Sequence, residues 1–156
     1  MIELRSIDPD DWRIWRDLRL EALACAPDAF GSRLADWQDA EEGRWRDRLS
    51  FAGRNFVAFL DDKPAGMVSG VLGDEPGVAV LISMYVSPFA RGRGIGDSLI
   101  TAVLDWAREQ GAESVHLDVV VGNEPAATLY ARHGFAFTGR APADSPGERT
   151  MIRPVR

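Results

Sequence analysis

Apolar residues recur along this chain in two rhythms. Trp12, Trp15, Leu18, Ala22 and Leu23 follow a helical spacing, which predicts an amphipathic helix running to about residue 24. Asp10 and Asp11 precede it as helix-start residues, and Pro27 stops it. A weaker helix is expected over 37–51, interrupted by Gly43. The pattern then changes. Residues 55–60 and 64–72 are apolar runs around Asp61-Asp62-Lys63, a hairpin with a loop of about three residues. After a turn at 73–77, residues 78–86 are the longest apolar run and predict a central strand. Ile95, Leu99, Val103 and Trp106 return to the helical spacing, ending at a Gly111 C-cap. Val115, Leu117, Val119 and Val121 alternate, so a strand here should pair in parallel with 78–86 through a right-handed crossover.

A last helix is expected after Gly122-Asn123, with Pro125 in its first turn and its end near His133. Residues 2–5 give a short first strand, and 135–140 with 148–153 give two closing antiparallel strands. The order describes an α/β fold of the α+β type. One mixed, mostly antiparallel sheet contains a central parallel pair and is flanked by about four helices. With 156 residues, and no repeat or linker, the expectation is a single domain over 1–156.

Composition narrows the partners. A net charge of −6 argues against general nucleic-acid binding. It serves solubility or mildly favours a cationic partner such as an amine. One cysteine, Cys25, excludes an intramolecular disulfide and a Cys-rich metal site, so no metal is expected. Neither a basic leader nor an apolar run of about 20 residues is present, which predicts a cytoplasmic protein with no membrane partner.

The candidate chemistry starts where the central strand stops at Pro88. Gly92, Gly94 and Gly96 stand at every second position, and a helix begins at once. Free N–H groups at a helix start, approached without side chains, suit a phosphate, and Arg91 and Arg93 add charge. A P-loop needs Gly-Lys-Ser/Thr, but Lys63 is the only lysine. A dinucleotide fingerprint fails as well, because its third glycine falls on Asp97 counted from Gly92, or on Leu99 counted from Gly94.

Arg91-x-x-Gly94-x-Gly96, preceded by Val86-x-Pro88, resembles the acyl-CoA pyrophosphate loop of the GNAT N-acetyltransferase superfamily. Asn123-x-x-Ala126-Ala127-x-Leu129-Tyr130-x-Arg132-x-Gly134-Phe135 is similar to that family's second signature. The resemblance covers about 81–135 and implies an enzyme that moves an acetyl group from acetyl-CoA to a primary amine, by direct attack and without a metal. It further implies that the central parallel pair splays and that the main chain of Met84 and Val86 bonds the pantetheine. Main-chain groups of Arg91, Gly92, Arg93, Gly94, Ile95 and Gly96 would hold the pyrophosphate. A main-chain N–H near Tyr85 would face the thioester oxygen. Asn123 is either a pantetheine contact or a plain N-cap. Tyr130 matches the family's general acid. A phenol near 10 protonating a thiolate near 8.5 is uphill by about 1.5 units, roughly 2 kcal/mol. Tyr130 is therefore expected to hydrogen-bond the leaving sulfur, and its other reading is a packing aromatic.

Many family members carry a glutamate base on the central strand, and this strand has none. Ser83, Tyr85, His116 and Asp118 are instead expected on one face, either as a water-linked proton path or as ordinary polar residues. Phe30 lies where the family shapes its acceptor site. The expected acceptor is a small-molecule amine. A protein N-terminus is the alternative, and a non-catalytic acyl-CoA sensor is the rival class. Edge strands at the C-terminus are candidates for pairing two copies into a homodimer.

Overall fold

The computed structural model describes residues 1–27, 30, 33–51 and 53–156. Seven strands form one sheet in the order β1-β2-β3-β4-β5-β7-β6: β1 (Ile2–Ile7), β2 (Arg54–Leu60), β3 (Lys63–Leu72), β4 (Val78–Val86), β5 (Ser114–Val120), β6 (Ala136–Phe137) and β7 (Glu148–Pro154). The helices are α1 (Trp12–Cys25), α2 (Leu34–Trp37), α3 (Glu42–Ser50), α4 (Ile95–Glu109) and α5 (Glu124–Arg132). Every strand pair is antiparallel except β4–β5, joined through α4. Two apolar layers enclose the sheet. Phe56, Ala58, Val115, Leu117 and Val119 face α4 and α5, while Val57, Phe59, Met67 and Tyr85 face α1 and α3. Covering on both faces explains why β2 reads as a continuous apolar run rather than an alternating one.

Helix α4 lies close on β3 because two glycines let it. A Cβ on Gly66 would stand 3.0 Å from Ile95 and from Leu99, and one on Gly70 would stand 2.6 Å from the Trp106 ring. Trp106 is itself buried, at 3% exposure, so Gly70→Ala is expected to destabilise by about 2 kcal/mol in denaturant unfolding.

Three expectations change. The helix expected over 37–51 is two helices, with Trp37 ending α2. The Arg44 guanidinium donates to the Asp36 carbonyl and stacks 3.9 Å over Trp37, and Trp45 Nε1 donates to the Ala40 carbonyl at 3.1 Å. These side chains fix the break at 38–41, whereas Gly43 sits quietly in the first turn of α3. The β2–β3 turn has two residues, Asp61 and Asp62, both at positive φ, as a type I′ hairpin needs. Strand β6 is two residues long, because Gly139 (φ 82°) turns the chain, although Thr138 and Arg140 still bond Thr150. The turn expected at 27–31 lies mostly outside the described residues.

Candidate active site

The site begins where the parallel pair opens. β4 and β5 are paired only over Val78–Val80 and Ser114–His116, so the main chain of β4 beyond Val80 has no β5 partner. On the other edge of β4 the ladder slips between Met67 and Ser69, and Ser83 takes a left-handed φ of 57°. A serine there is strained, and a bulge re-aims the strand. Arg48 holds it in place. Its Nη2 donates to Ser83 Oγ and Ser69 Oγ, both at 3.0 Å, and its Nη1 donates to Asn55 Oδ1 at 3.3 Å.

The opening is a cleft of about 1030 Å³. One wall is β4 at Met84, Tyr85 and Val86, and another is α5 with its preceding turn at Asn123, Leu129 and Tyr130. Its far end is the glycine loop. Gly92 (φ 77°) and Gly94 (φ 82°) take backbone conformations that L side chains rarely adopt, which is why glycine stands there. The N–H groups of Gly92 through Gly96 meet no acceptor among the described residues. Five donors in a row at the head of a 15-residue helix require an anion or water. Asp97, in the first turn of α4, accepts from Arg132 Nη2 at 2.6 Å and contacts His133 Nε2 at 2.6 Å. Those bonds hold its carboxyl below the usual range and lock α4 to α5 across the cleft.

Tyr130 is 8 % exposed and packs edge-on against Phe135 at 5.9 Å. Burial pushes its phenol well above the usual range. The hydroxyl has no partner among the described residues, and Tyr130 lines both this cleft and a second cavity. That second cavity, about 320 Å³, lies on the α1–α3 side and also shares Phe30 and Met84 with the cleft. Trp15, Trp37 and Trp45 wall it, with Arg19 and Arg48 on the helix side and Asp118 and Glu148 on the β5–β7 side. Burial, and next the charge of Asp118, raise the Glu148 carboxyl above its ordinary range.

Residues 12–135 match the sequence model of the Acetyltransferase (GNAT) family. The chain belongs to this family. Among its relatives, a mycothiol acetyltransferase from Renibacterium salmoninarum is 28% identical over 86% of this chain and 40% of its own length. A streptothricin acetyltransferase from Streptomyces lavendulae is 37% identical over 72% of this chain and 56% of its own length. The chain thus spans about half the length of these relatives. In fold it is similar to the PaiA N-acetyltransferase from Thermoplasma acidophilum in complex with coenzyme A, with TM-score 0.79 and 16% identity over 99% of both chains.

Of the residues expected to hold the CoA of a GNAT enzyme, Met84, Val86, Arg91, Gly92, Gly94, Ile95, Gly96, Asn123 and Tyr130 all line the cleft. Arg93 is exposed and does not. Arg91 Nε donates to the Val86 carbonyl at 3.3 Å, so that carbonyl already has a partner. Asn123 caps α5, its side chain accepting from Ala126 N at 3.4 Å. Phe30 lies between the two cavities, edge-on to Tyr85 at 6.5 Å.

Of the four residues of the expected proton path, Ser83 and Asp118 line the second cavity, whereas Tyr85 and His116 do not. Ser83 is bonded to Arg48, His116 Nε2 to Ser114 Oγ at 3.1 Å, and Asp118 accepts from Thr150 Oγ1 at 2.6 Å. Tyr85 points across to α1, where its hydroxyl donates to Glu21 at 2.8 Å, and Ser87 Oγ donates to the same carboxylate at 2.5 Å. Burial and then this bond raise the Tyr85 phenol well above its usual range. Glu21, Arg19, Arg48 and Glu148 are the site residues that sequence reasoning passed over. A signal existed for two of them. Arg19 lies four residues after Trp15 and Arg48 three after Trp45, so each is a charge on the buried stripe of its helix.

Proposed function

We propose that the whole chain works as a single GNAT domain that transfers acetyl from acetyl-CoA to a primary amine of a small molecule. The observation that carries this is the position of Tyr130, which with Phe30 and Met84 lines both the large cleft and the smaller cavity. The cleft suits the donor. Its open donors at Gly92–Gly96 match a pyrophosphate, and the edge of β4 that lacks a β5 partner beyond Val80 matches the amides of a pantetheine arm. Acetyl-CoA supplies the activated acyl group when bound. Tyr130, protonated at every physiological pH, donates to the sulfur as negative charge develops there. Glu148, beside Asp118, takes a proton from the acceptor ammonium, and the neutral amine so formed attacks the thioester carbonyl as the CoA thiolate leaves. The small volume of the acceptor cavity, about 320 Å³ and walled by aromatic rings, favours a small molecule over a protein N-terminus.

Release of free CoA, measured across a panel of amino acids, aromatic and aliphatic amines and N-terminal peptides, tests the reading. The expected result is turnover with small amines and none with peptides. Tight CoA binding without release for any acceptor would make the domain a sensor instead.

A further inference from the structure

We infer that the acceptor is an amino-carboxylate, such as an α-amino acid with an apolar side chain, whose carboxylate is bound by Arg19 and Arg48. This deepens the acetyl-transfer reading and rests on it for the position of the amine. The starting observation is a charge imbalance on one side of the small cavity. Arg19 and Arg48 both line it, and neither forms an ion pair with a carboxylate among the described residues. Arg48 spends three hydrogen bonds on neutral oxygens, and Arg19 rests 4.7 Å over the Phe30 ring. Burial lowers both guanidiniums to about 10, and the charge of Arg19 further opposes that of Arg48. Two half-buried like charges without a counterion are costly.

A second observation is independent of charge. Among the described residues, two buried side-chain donors lack any acceptor, Trp15 Nε1 and Arg19 Nη1. Both belong to side chains that line this cavity. Native proteins rarely leave such donors unmet, so a bound group should supply the oxygens. A carboxylate accepts only, offers about four lone-pair sites, and matches the planar fork of arginine. The β5–β7 side of the cavity has the opposite sign, with Asp118 and Glu148. A ligand with an ammonium at one end and a carboxylate at the other is complementary to both sides. Its amine then lies on the Asp118–Glu148 side, with Tyr130 and Met84 in the same cavity wall. The indole rings of Trp15, Trp37 and Trp45 leave apolar surface for the remaining side chain.

The test uses binding, so that it stands apart from turnover. The CoA-saturated protein is titrated with N-acetyl-L-methionine and with N-acetyl-L-methioninamide, following the fluorescence of the tryptophans in the cavity. The acid is expected to bind about 10- to 100-fold more tightly than the amide, as for a charged hydrogen bond. Arg19→Gln and Arg48→Gln are each expected to bring the ratio to within about twofold while CoA affinity is kept. Because Arg48 also holds the bulge at Ser83, Arg19→Gln alone decides if Arg48→Gln does not fold. Equal binding of acid and amide, or a preference that survives Arg19→Gln, overturns the inference. Acid-selective binding without CoA release from any amine supports it while refuting the acetyl-transfer reading. Turnover that prefers amides to free amino acids does the reverse.

Discussion

Replacing Tyr130 by phenylalanine is expected to lower kcat about 100-fold and to leave acetyl-CoA affinity within about twofold. The size follows from the loss of one preorganised donor in a water-poor site. The phenol is buried and has no hydroxyl partner among the described residues, so nothing there competes for its proton before the sulfur takes charge. The ring keeps its edge-on contact with Phe135, because phenylalanine preserves it. A raised phenol pKa also supports one way for the hydroxyl to act. It cannot complete a proton transfer to a thiolate, so its part is a hydrogen bond, and the pH profile should show no limb belonging to Tyr130. Steady-state kinetics beside CoA titration separates this from a packing role, which would move affinity and stability together.

Glu148→Gln is the second large effect, about a 100-fold loss in kcat/KM. Burial and Asp118 hold this carboxyl above its usual range, so it ionises later than an exposed glutamate. Activity should therefore rise with pH through that raised value, and the variant should lose this limb. The sign for stability is opposite. A carboxyl whose folded pKa is raised destabilises the fold as pH climbs from its unfolded pKa through the folded one. At neutral pH the variant should then melt slightly higher than the parent. Lower activity together with a higher melting point distinguishes a strained functional carboxylate from a surface one.

Much of this architecture could be read from the chain. The two rhythms of apolar residues marked β4, α4 and β5 nearly to the residue, because one face of each is buried along its length and its periodicity is undiluted. The donor cleft was equally legible, since a glycine loop and a helix start act through backbone groups fixed by local sequence. The acceptor side was not. Its polar residues come from α1, α3, β5 and β7, and only the tertiary fold makes Arg19, Arg48, Asp118 and Glu148 neighbours. The bulge at Ser83 had no glycine to announce it, because its strain is carried by Arg48, 35 residues away. Without that bulge the alternation of β4 places Ser83 and Tyr85 side by side, and the expected proton path followed from it.

Donor and acceptor are expected to be bound at once, on either side of Tyr130, and to exchange the acetyl group directly. Initial rates with acetyl-CoA and the best amine varied together, with both products weighed, test it most directly. Intersecting reciprocal plots and one acetylated amine for each CoA released are expected. Parallel plots, with an acetyl group found on the protein after exposure to acetyl-CoA alone, would contradict it.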